Sequence, residues 1–273
     1  MSSILSGIRS SHLGRKVPMA LKPAARRVRD FVRQTQAAFR SLYLAPLRDS
    51  RREMFLRQPA RKQVTLFLSP EAGLDPFFAS HALLARVMND AGHSAIMLSC
   101  NGIQPTCSVK LARQINQTPV QDTKSSVCRQ CRAVADRVGH EYKLIDFSIE
   151  SLLTNDMRAE VDRIIAENST SPWNVVYDGI EIGRACLGET LRTQRKTSAG
   201  EFNDTDSALI TSLLYSSLVI YFCVGVLSER FDIVRIAYFG DYAFFIAPQI
   251  FAKRRNIALT NISHAYNRDV DRR

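Results

Sequence analysis

The chain has 273 residues, 45% hydrophobic and 23% charged, which suits a globular protein with a sizeable core. Its net charge of +11 sits at one end: residues 1–62 carry 15 Lys/Arg against three acids, while the other 211 residues carry 22 basic and 23 acidic groups. A near-neutral body argues against specific nucleic-acid binding, and the lack of a continuous apolar stretch in MSSILSGIRSSHLGRK argues against a secretory signal, so a cytoplasmic location is expected.

Residues 1–62 read as a basic arm, partly helical or disordered. Leu21, Val28, Val32, Phe39 and Leu42 recur at roughly helical spacing, with Arg26, Arg27, Arg29, Arg33 and Arg40 elsewhere on the wheel. Pro23 is tolerated near the start and Pro46 stops the pattern. Such a stretch, over 17–57, suits an anionic membrane surface and a peripheral position at the inner face; a solvated leader accounts for the same charges.

The texture changes at Gln63. VTLFLS is a short β-branched and apolar run ending at the turn PEAGLDP, and FFASHALLARVMNDAGH follows as a helix stopped by Ala91-Gly92. Then come SAIMLSC as a strand, a cysteine-bearing loop over 100–131 and a helix near Arg129–Val138. YKLIDF is the next extended run, TNDMRAEVDRIIAEN a helix, and WNVVYDG a strand. DIVRIAYFG reads as strand, YAFFIAPQIFAKRR as helix and NIALTNI as a last strand. Strands alternating with helices predict a Rossmann-like α/β domain over 63–273, a parallel sheet covered by helices.

Ser207–Ser228 holds 22 uncharged residues, enough to cross a bilayer. It also contains six Ser/Thr and lacks flanking positive clusters, so a buried helix is expected, with an integral membrane protein spanning at 207–228 as the alternative.

Four of the six cysteines fall in two pairs, CNGIQPTC (Cys100, Cys107) and CRQC (Cys128, Cys131). The C-x2-C spacing supplies two tetrahedral ligands from one turn, which points to a structural zinc site closed by all four thiolates. Four thiolates equally suit an iron–sulfur cluster, and buried free thiols remain the plain alternative.

In a doubly wound sheet, ligands gather beyond the carboxyl ends of the strands. At the first such end, Gly73 is expected to take a positive φ, Asp75 to cap the helix and Pro76 to open it, leaving free amides toward the crevice. A second end collects Asp178, Glu181 and Arg184; a third has Asp241 after Gly240; the tail carries His264. There is no G-x-G-x-x-G, no P-loop and no G-x-S-x-G.

The run VTLFLSPEAGLDPFFASHALLARVMNDAGH, the C-N-G-x4-C and C-x-x-C pairs, YDGIEIGRACLGETLRTQRKTS and YFGDYAFFIAPQIFAKRRNIALTNISHAYNRDVDRR together resemble the amino-terminal half of bacterial glycosyltransferase-like proteins of surface and capsular polysaccharide biosynthesis, which are of the two-domain B type. The resemblance implies that this domain leans on a lipid-linked or saccharide acceptor, with Gly73–Phe77 lining the cleft. It also implies that the sugar-nucleotide donor binds mainly in a second domain lying past Arg273. The chain is then expected to be a fragment, a decayed gene product or half of a split enzyme, inactive alone. The acceptor hydroxyl needs a general base, and Asp75 and His81 are the candidates. The alternative function is a non-enzymatic zinc-stabilised binding module attached through its basic arm to a membrane or partner.

Overall fold

The structure is a computed structural model and describes residues 50–57, 63–112, 126–240 and 242–262. Of the basic arm, only 50–57 falls within the described residues. The helical segment over 50–56 (α1) docks on the body: Phe55 is buried with its ring 5.6 Å from that of Phe231, and Arg51 donates to the Gly139 carbonyl at 3.4 Å.

Five strands pair in parallel: β1 (Gln63–Leu68), β2 (Ala95–Ser99), β3 (Asp146–Ser148), β4 (Asp232–Tyr238) and β5 (Ala258–Asn261), in the order β3-β2-β1-β4-β5. The short apolar runs explain the choice of a parallel sheet. All five residues of β2 are buried, and only the first residue of β1 is exposed, as strands covered on both faces require. The chain moves outward from β1 to β3 and then returns to the other side of β1, so the order reverses between β1 and β4. That reversal is the topological switch point of a Rossmann-like sheet.

Alternation along β1 divides the two faces. Phe67, with Met97 and Ala237 of its neighbours, packs under α2 (Asp75–Asp90) and α4 (Ser126–Glu141). Val64, Leu66 and Leu68 face the larger core, formed by α5 (Ile149–Leu152), α6 (Asn155–Glu167), α7 (Ile182–Gln194), α8 (Asp204–Arg230) and α9 (Ala243–Arg254). Helix α8 is the centre of that layer. Asn203 and Asp206 form a reciprocal capping box at its start, and Lys196 pairs with the buried Asp206 carboxylate. The helix is long and apolar enough to cross a bilayer, yet 78% of its apolar window is buried by the protein's own elements. Packing against α6, α7, α9 and β4 accounts for its hydropathy without lipid.

One predicted strand is absent from the sheet. Trp173–Gly179 instead forms a 3-10 turn, Pro172–Asn174, followed by a tight reversal in which Tyr177 and Ile180 bridge antiparallel. Asp178 and Gly179 have φ of 49° and 65°, the left-handed conformations of a two-residue hairpin turn rather than of a strand. The β-branched run here packs locally, and the chain passes from β3 to β4 through helices.

Candidate functional site at the switch point

Beyond the carboxyl ends of β1 and β4, a small cleft is lined by Ser69, Glu71, Leu74, Phe77, His81 and Phe239, among others. Its enclosed space is about 20 Å³, room for about one water. Phe77 of α2 and Phe239 after β4 stack across it with ring centroids 3.6 Å apart. His81 is 1% exposed; its Nδ1 shares a short hydrogen bond with the Ser69 hydroxyl, and its ring lies 5.7 Å from that of Phe67. The sequence therefore placed His81 usefully: it belongs to both the core and the cleft wall.

The carboxyl at this site is Glu71. It is buried, accepting from the Ser108 amide at 2.8 Å and from the Ser108 hydroxyl. Burial pushes its pKa up to about 7, against the pull of those Ser108 bonds. Tyr242, just before α9, shares a hydrogen bond with the Ser108 side chain; its phenol is pushed up by burial and by the Glu71 and Glu189 carboxyls. Glu189, in the last turns of α7, is buried and held by the exposed Arg192. Two carboxyls from distant sequence positions thus meet one Ser and one Tyr behind the cleft. Neither glutamate stood out in the sequence. The signal for Glu71 was a charge inside SPEAGLDP at a strand end; the signal for Glu189 was an acid three residues after the core residue Cys186.

The first β–α turn differs in detail from expectation. Helix α2 starts at Asp75, so Leu74 is the N-cap and Pro76 occupies the second helical position, with no side-chain cap. The side chains of Asp75 and Pro76 lie outside the described residues, as do Asp241 and His264. Gly73 keeps a negative or extended φ; its need is closeness, since a Cβ there would come within 3.0 Å of Val109, and its amide donates to Cys131 Sγ at 3.1 Å.

Asp178, Glu181 and Arg184 do not reach this cleft. Arg254, the last residue of α9, donates to the carbonyls of Asp178 and Gly179, while it is the first turn of α9 that borders the crevice. Tyr221 donates to the Asp178 carboxylate. Glu181 and Arg184 form an exposed pair at 3.2 Å, a surface contact of small energetic weight. The cluster is a clasp between the loop before α7 and the far end of α9.

The four loop cysteines share the same rim. Cys100 ends β2, Cys107 precedes α3 (Ser108–Ala112), and Cys128 and Cys131 lie three apart in the first turns of α4. Gln104 donates its amide to Cys100 Sγ at 3.3 Å, and a Cβ on Gly102 would lie 3.5 Å from Cys128 Cβ. Burial pushes the Cys100 thiol up to about 11 and that of Cys131 to about 12, and it raises Cys107 well above its ordinary value; Cys128 adds to the rise at Cys100 and Cys131, so the thiols feel one another. Among the described residues, no three His, Cys, Asp or Glu side chains stand at metal-ligating spacing.

The chain is thus an α/β protein with a Rossmann-like strand order and a polar, partly closed switch-point cleft. No family model matches it, and no curated protein or solved structure does either.

Proposed function

We propose that the β1–β4 crevice is the substrate site, that Glu71 is its proton-accepting group, and that the chain acts as the acceptor-side half of a glycosyltransferase-like protein of surface-polysaccharide biosynthesis. One observation carries the choice of site: where the strand order reverses, the buried carboxyl of Glu71 shares a cleft with His81 and Ser69. A sugar acceptor attacks through a hydroxyl, and a base within hydrogen-bond reach must take its proton. A carboxyl raised toward neutrality by burial suits that task better than an exposed one. His81 orients Ser69 beside it, and the Phe77 and Phe239 rings offer an apolar surface of the kind that lines ligand pockets. The saccharide assignment rests on the sequence resemblance over 63–273, with the sugar-nucleotide donor reached through a second domain.

The tightness of the cleft favours a second reading, a non-enzymatic binding module whose arm attaches it to an anionic membrane surface or a partner. Ligand-observed NMR on the full chain, with a panel of mono- and oligosaccharides and nucleotide sugars, separates the two. Saccharide contacts that weaken in Phe239→Ala, with donor hydrolysis abolished in Glu71→Gln, support the transferase reading. A folded chain that contacts no sugar overturns it. Liposome co-sedimentation with and without residues 1–60 then tests the arm.

A further inference from the structure

Gln104 and Thr106, in the loop between the first two cysteines, are each 1% exposed, and among the described residues both ends of the Gln104 carboxamide and the Thr106 hydroxyl have no hydrogen-bond partner. Unsatisfied buried polar groups are costly, about 1–3 kcal/mol each, and a protein that keeps three in one short loop is missing something there. Next to them is a buried cation. Lys110 is 4% exposed and its ammonium spans the carbonyls of Gln104 (2.9 Å) and Pro105 (3.1 Å), with no carboxylate among its hydrogen-bond partners. A buried ammonium balanced only by neutral carbonyls calls for an anionic neighbour. Two of the surrounding sulfurs already accept backbone amide protons, from Gly73 and Gln104, and the two cysteines of α4 lie in the turn whose free amides carry the positive end of the helix dipole. Every group around the thiols is arranged for negative sulfur.

We propose that Cys100, Cys107, Cys128 and Cys131 bind one zinc ion as thiolates, and that Lys110, Gln104 and the first turn of α4 form the shell that offsets and hydrogen-bonds their charge. Binding releases four protons to solvent, one from each thiol, and joins one doubly charged cation to four thiolates, a centre with two net negative charges. Bringing the sulfurs from their present spacing to zinc requires rotation about the Cα–Cβ bonds, which moves a sulfur between staggered positions without moving the backbone. Zinc fits better than an iron–sulfur core. The interior of the loop is filled, with Val109 against Gly73 and Gly102 against Cys128, leaving room for a single ion but none for bridging sulfides. The site stands apart from the saccharide reading, because it needs neither an acceptor nor a donor.

The test uses the full chain purified without chelators. Mass-spectrometric metal analysis is expected to find one zinc per chain, and native alkylation is expected to modify the rim thiols only after the metal is withdrawn. In competition with a chromophoric chelator, Lys110→Met and Gln104→Ala are expected to bind zinc about tenfold more weakly, the usual size of a supporting-shell effect. Cys186→Ser and Cys223→Ser, which remove the other two thiols, should leave affinity unchanged. Chain without metal and with freely alkylated rim thiols overturns the site. So does iron with acid-labile sulfide, or a zinc content unaffected by Cys128→Ser. Unchanged affinity in both Lys110→Met and Gln104→Ala overturns the supporting shell even if Cys128→Ser fails to fold.

Discussion

In the α8 layer, Leu213, Leu214, Leu218 and Ile220 are fully buried among other aliphatic side chains. At the carboxyl rim, Glu71, Gln104, Lys110 and Glu189 are buried almost as deeply, but they are polar. The first region gains free energy by leaving water; the second must recover in hydrogen bonds what its groups lose on desolvation. Equal burial therefore has opposite meanings in the two regions. The layer around α8 holds the fold together, and the rim spends some of that stability to keep polar groups in place, the usual pattern of a site where sequence is chosen for chemistry.

Substitutions can break that contrast, and the largest effect belongs to the apolar layer. Leu213→Ala, at a fully buried position, is expected to destabilise the protein by about 3 kcal/mol in urea unfolding, through lost burial and a residual cavity. If the cost falls below about 1 kcal/mol, α8 is not the centre of the core.

Glu71 probes the rim through pH. Its carboxyl binds a proton more tightly in the folded chain than in the unfolded one, so its contribution is complete below the ordinary value of 4.5 and is lost as pH rises to about 7. Full loss corresponds to about 3 kcal/mol. Stability measured across this window should fall in the natural chain and stay flatter in Glu71→Gln. The groups that bear on it are Glu189, Tyr242, Cys107 and Cys131, and a slope that survives Glu71→Gln would assign the titration to one of them.

A smaller effect is expected at the start of α8. Burial works against ionisation of Asp206, but the Asn203 amide and Lys196 outweigh it and hold the carboxyl below its ordinary value. That stabilisation is present at neutral pH and is lost as pH falls through the lowered value. Lys196→Met should cost about 1–2 kcal/mol at pH 7 and progressively less in acid, read by thermal unfolding at several pH values. The smallest effect lies on the outer side of α2, where Val87 is 55% exposed. Val87→Ser should change stability by no more than about 0.5 kcal/mol. A larger loss would mean that this face is covered by another part of the protein.

Local pattern made much of the fold legible. Alternating apolar runs and helical spacings marked β1, β2, β4 and β5 and the helices between them, because each run carries its own period. The same reasoning misread Trp173–Gly179, since β-branched content does not say whether a partner strand is available. At the site, His81 and the first β–α turn were visible, but Glu71 was passed over in favour of Asp75, and the Asp178 cluster was drawn to a crevice that the structure keeps away from it.

The sequence by itself determined where the strands and helices lie, the charge asymmetry between arm and body, and the pairing of cysteines along the chain, since these depend on neighbours within a few residues. Tertiary structure alone decided that α8 is covered by protein, that β1 and β4 flank the reversal, and that Glu71 and Glu189 share one neighbourhood. Those outcomes depend on contacts between residues up to some 170 positions apart in the sequence, such as β1 with β4, and an isolated stretch carries no record of what will pack against it.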